Sequence, residues 1–91
     1  MHNENQRRIF LLLRLLYDQT DEDHYISVAD ILQFWQNNGI LAGRKSVYSD
    51  IDLLMEMGVD IICIKSTQNR YFIGSRLFQV PELKLLVDAV E

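Results

Sequence analysis

Glycines at 39, 43 and 58 cut the middle of this chain into short units, and each unit carries one clear hydrophobic period. From Arg44 to Met57, with Val47 as reference at 100° per residue, Ile51, Leu54 and Met55 fall within about 80° of it, which predicts a helix stopped at Gly58. Its opposite face holds Lys45, Ser49, Asp52 and Glu56, with Tyr48 and Leu53 on the flanks. Upstream, Ser27 followed by Asp30 has the spacing of a capping box, with Asp in place of the usual Glu. The helix it starts carries Val28, Ile31, Leu32 and Trp35 on one face. Asn37, Asn38 and Gly39 end that helix, Gly39 suiting a left-handed cap, and Ile40 to Gly43 form a turn. Behind Gly58 the period changes. Ile61–Lys65 and Tyr71–Ile73 are β-branched and aromatic, and Ser66 to Asn69 supplies the turn chemistry of a hairpin.

The flanks complete the outline. A first helix is predicted from about Glu4 to Gln19, with Ile9, Leu12, Leu13 and Leu16 as its inward stripe. Phe10, Leu11, Leu15 and Tyr17 make it apolar on its other sides too, the mark of a helix covered on several faces. Thr20 to Ile26 is polar and acidic and reads as a loop, with the solvated cluster Asp21, Glu22 and Asp23 in it. Beyond Gly74 the chain reads as extended to Val80, where Pro81 suits the first turn of a fourth helix. Leu83, Leu86, Val87 and Val90 form that helix's stripe, which is expected to meet the first helix within one chain or across a dimer. Glu91 brings no cap and no basic last turn, so the fourth helix is read as the start of a connector. The expected fold is mainly α, with three helices, a two-stranded β-hairpin and a C-terminal connector helix. Ninety-one residues hold one core; the folded unit is assigned to 1–74, and 75–91 to linker and connector.

Two helices joined by a short glycine-containing turn, the second polar on its outer face, describe a helix-turn-helix, and the hairpin behind it is a wing. Such a helix fits the major groove of DNA, where its N-terminal residues reach base edges and its dipole favours phosphate. The candidate DNA-binding residues are therefore Arg44, Lys45, Ser46, Tyr48 and Ser49 on the helix, with Lys65, Asn69 and Arg70 on the wing. The net charge of −4 opposes this reading, since phosphate contacts dominate affinity. Its distribution does not. Residues 1–38 carry three basic and six acidic groups, whereas 39–76 carry five basic against four acidic. A winged helix used for protein–protein contact is the alternative that the acidic balance and the apolar first helix favour.

Other classes find no support in the residues. There is no nucleophile–base pair, no phosphate-cradling glycine loop and no metal-ligand spacing, so no enzyme, cofactor or metal is expected. Cys63 is single and reads as a small hydrophobe in a strand. No secretory signal or membrane span is evident, which places the expected protein in the cytoplasm.

Three segments, Arg44–Ile51, Met57–Ile61 and Phe78–Val90, together resemble the N-terminal winged-helix domain of the WYL-domain transcriptional regulators. The first resembles that family's recognition helix, in which a basic residue is followed by a hydroxyl residue, here Ser46, and then by Val47, Tyr48, any residue, Asp50 and Ile51. The third resembles the segment that joins the winged helix to the effector part. Gly43 stands where the family often has a capping aspartate, and Ser66–Asn69 replaces its glycine-rich wing turn. The resemblance implies a bacterial DNA-binding regulator that pairs as a homodimer through its terminal helices. It also implies an effector-binding domain, bearing the Trp-Tyr-Leu signature, that this chain does not contain.

Overall fold

The computed structural model describes residues 4–75, which form α1 (Glu4–Gln19), β1 (Ile26–Ser27), α2 (Val28–Asn37), α3 (Arg44–Glu56), β2 (Asp60–Ile64) and β3 (Arg70–Ser75). The architecture is three helices and one three-stranded antiparallel sheet of order β1-β3-β2.

Local chemistry sets the boundaries of α2. The Asp30 amide donates to Ser27 Oγ at 3.2 Å and the Ser27 amide donates to Asp30 Oδ2 at 2.9 Å, a complete capping box. Gly39 then takes a left-handed φ of 80°, and the amides of Asn38 and Ile40 both donate to the Trp35 carbonyl. Gly58, with φ 101°, does the same service after α3, letting the Val59 amide close on the Leu54 carbonyl at 3.0 Å. A side chain at either glycine would have to adopt a backbone region that L-residues avoid.

The core sits where the three helices meet the inner face of the sheet. Leu12, Leu16, Ile31, Trp35 and Val47 are wholly buried, and Ile40, Ile51, Leu54, Val59, Ile61, Tyr71 and Ile73 pack with them. Each such side chain contributes about 1.5–3 kcal/mol by leaving water. Two helices depart from the helical-wheel expectation. On α1, Leu15 is buried while Ile9 and Leu13 are only half-covered, because α1 packs against α2 on one side and against β3 and α3 on another. On α3, Met55 is exposed, so the buried stripe is Val47, Asp50, Ile51 and Leu54.

The larger correction concerns the loop before α2. The sheet is not a two-stranded hairpin alone, because Ile26 pairs with Tyr71 and Ser27 with Arg70, making β3 the central strand. The fold is thus mixed α/β. A two-residue strand offers no alternation to detect, and only the burial of Ile26 distinguishes it from loop. The hairpin β2–β3 is in the expected place, with Ile61 opposite Ile73, Cys63 opposite Tyr71 and Ile64 opposite Arg70. The expected connector helix from Pro81, and the linker before it apart from Ser75, lie outside the described residues. Among the described residues no helix is long and apolar enough to cross a membrane.

Candidate nucleic-acid interface

The two helix starts in the middle of the chain are opposites. At α2 the cap accepts an amide and an acid stands in the first turn. At α3 the cap residue is Gly43, which has no side chain to accept an amide, and the first turn holds no acid. The Gly43 carbonyl turns inward to accept the amides of Ser46 and Val47 at 3.1 and 3.4 Å. That leaves the leading amides of α3, and the positive end of its dipole, directed outward beside two cations. Arg44 and Lys45 are both exposed, and among the described residues neither forms an ion pair.

One turn further along, Tyr48 and Ser49 are exposed and Ser46 is half-buried. Arg44 and Tyr48 share one helix face, four residues apart, and Lys45 and Ser49 share the next. Tyr48 opens onto a groove between α3 and the hairpin, whose walls include Asp52 and Met55 from α3, Cys63 and Tyr71 from the strands, and Lys65 and Asn69 from the turn between them. The structure therefore brings Tyr48, Lys65 and Asn69 to one concavity. Burial, first of all, holds the Tyr71 phenol above the ordinary tyrosine range, so it stays protonated at the groove floor.

Arg70 is not brought there. It is the first residue of β3, paired with Ser27 on one side and with Ile64, the last residue of β2, on the other, so it closes the hairpin turn as part of the sheet. Successive strand residues face opposite ways, and Asn69 and Tyr71 face the groove, which sends Arg70 to the outer sheet face. That face carries Phe72, whose ring lies 5.1 Å from the ring of Tyr25.

Behind the exposed face of α3 stands a feature that its sequence only half announces. Asp50 is 2% exposed and accepts two hydrogen bonds from Arg8 of α1, at 2.6 Å from Nε and 2.9 Å from Nη2. The same guanidinium lies 5.6 Å over the Trp35 ring of α2, and Nη1 donates to Asn5 Oδ1 at 3.1 Å. The carboxylate raises the Arg8 pKa further above its ordinary value. Arg8 was unmarked in the sequence: the two residues are 42 apart, and no spacing rule joins them.

Among the described residues no group of three His, Cys, Asp or Glu side chains is placed to hold a metal ion. No protein-family model, curated protein or solved structure matches the chain.

Proposed function

We propose that this chain is a winged helix-turn-helix domain that binds double-stranded DNA, with the N-terminal half of α3 in the major groove and the β2–β3 hairpin as its wing. In this reading it is the reading head of a bacterial, cytoplasmic transcriptional regulator of the WYL-domain kind and not an enzyme. Two copies pair through their terminal helices, and the effector is sensed elsewhere in the regulator. The observation that carries the reading is the start of α3, without a side-chain cap, free of acid in its first turn, and flanked by the exposed Arg44 and Lys45, neither of which forms an ion pair among the described residues. Cations at a positive helix end repel that end, and an external anion relieves the conflict. The groove shared by Tyr48, Lys65 and Asn69 extends the contact to the wing, where backbone contacts hold register. Arg70 joins them only by reaching round from the outer sheet face.

The test is the binding of a labelled random-sequence duplex, about two helical turns long, across a salt series. Four phosphate contacts give a slope of about −3.6 in log K against log salt, or about a hundredfold loss between 50 and 200 mM. A second reading, a winged helix that binds protein, is favoured by exposed Leu41 (85%), Phe10 (61%) and Met57 (55%). It predicts no duplex binding and an association that salt leaves unchanged.

A further inference from the structure

Apolar contacts fix how far α3 stands from the other helices, but they are non-directional and leave its roll about its own axis weakly determined. The buried apolar side chains of α3, Val47, Ile51 and Leu54, supply contacts of this kind. Among the described residues, the side-chain hydrogen bonds that tie α3 to another helix come from the guanidinium of Arg8. Its fork meets the Asp50 carboxylate with two bonds, its face lies over Trp35, and its third nitrogen is held by Asn5. One planar group thus contacts all three helices, and a bidentate pair constrains angle as well as distance. Asp50 follows Ser49 directly and stands two residues from Tyr48. A roll of about 20° would carry side-chain tips on α3 by about 2 Å at the 5–6 Å radius of a helix with its side chains. That displacement is enough to break a hydrogen bond to a base edge. A buried ion pair is a poor route to stability, since desolvation cancels much of its attraction, but it can impose one arrangement.

We propose that Arg8 and Asp50 are positioning residues, which set the roll of α3 against α1 and α2 and thereby aim Lys45, Tyr48 and Ser49, while adding little net stability. The orientation part stands without any ligand; the consequence for DNA rests on the function proposed above.

The experiment replaces both partners, Arg8→Met with Asp50→Leu, in the full chain. Three quantities are read: thermal unfolding, the orientation of α3 relative to α2 from residual dipolar couplings, and affinity for a duplex that the wild-type chain selects from a random pool. The expected result is a melting midpoint at or above wild type, a reoriented or exchange-broadened α3, and at least a tenfold loss of duplex affinity. An α3 orientation identical to wild type overturns the proposal, and with a lowered midpoint it would mark the pair as an ordinary stabilising contact. If the double variant does not unfold cooperatively, Arg8→Lys is read instead, because it keeps the charge and loses the fork. There a shifted α3 supports the proposal and an unmoved one overturns it. A wild-type chain that selects no duplex sinks the DNA reading, while the dipolar couplings still decide the orientation.

Discussion

The hydroxyl of Thr20 accepts the amide of Ile73 at 2.9 Å and donates to the carbonyl of Leu16 at 2.6 Å, so one side chain ties the end of α1 to the central strand. Thr20 is 2% exposed, and the Ile73 amide it receives has no water to fall back on. Thr20→Val keeps the shape and removes the acceptor. It is expected to cost about 1–3 kcal/mol, the desolvation penalty of a stranded buried amide, whereas Thr20→Ser keeps the bond and costs less. Urea unfolding of both variants checks this; a greater loss in Thr20→Ser than in Thr20→Val would assign the role to the methyl group.

Arg44→Ala combined with Lys45→Ala should remove duplex binding and leave the fold alone. Both side chains are exposed and off the buried stripe of α3, so the melting midpoint should hold. At low salt the residual affinity should show a salt slope shallower by about 1.8, the share of two phosphates. Unchanged affinity in the double variant would move the reading surface elsewhere.

What could be read in advance follows from which interactions are local. The capping box at Ser27 and Asp30, the left-handed turn at Gly39, the helix stop at Gly58 and the β2–β3 hairpin all arise between near neighbours, so spacing announces them. The exposed cations of α3 were equally legible, because the period that buries Val47 and Ile51 pushes Arg44 and Lys45 outward. Long-range pairings were not. β1 exists only because Tyr71 and Arg70 offer it a free edge, and Thr20 looked like loop because its partner is 53 residues away. Arg70 adjoins the turn as expected, but its second pairing, with Ser27 of β1, is long-range and could not be read from the hairpin alone.

In the loop after α1, His24 Nδ1 lies 2.8 Å from Asp21 Oδ1. The carboxylate raises the His24 pKa above 6.5, and the hydrogen bond with His24 is the first cause that lowers the Asp21 pKa below 3.8. The two signs differ. His24 contributes below 6.5, and that contribution fades as pH rises through its raised folded value. Asp21 contributes above 3.8 and fades as pH falls through its lowered value. The pair is therefore complete between those limits, and being fully exposed it is a weak contact that salt screens. Proton NMR titration should place His24 above the midpoint of an unstructured histidine, and Asp21→Asn should bring it back. A midpoint that ignores Asp21→Asn would show that the contact does not persist in solution.

Asp52 and Glu56 lie on the exposed face of α3, and how they affect a duplex depends on distance. Asp52 is two turns from Arg44 and forms part of the groove that holds Tyr48, Lys65 and Asn69, so its charge sits inside the presented surface. Glu56 lies four residues further, about 6 Å along the axis and about 18 Å from Arg44. Near 50 mM salt the screening length is about 14 Å, longer than the roughly 12 Å from Asp52 to Arg44 and shorter than the distance to Glu56. Repulsion from Asp52 should therefore reach a phosphate held by Arg44 or Lys65, and repulsion from Glu56 should not. Asp52→Asn is expected to raise affinity for a random duplex several-fold near 50 mM salt, while Glu56→Gln changes it by less than about twofold. The gain should vanish toward 1 M salt, where the screening length falls to about 3 Å. Equal gains from both variants would mean that α3 lies flat along the groove over its whole length instead of entering by its N-terminal half.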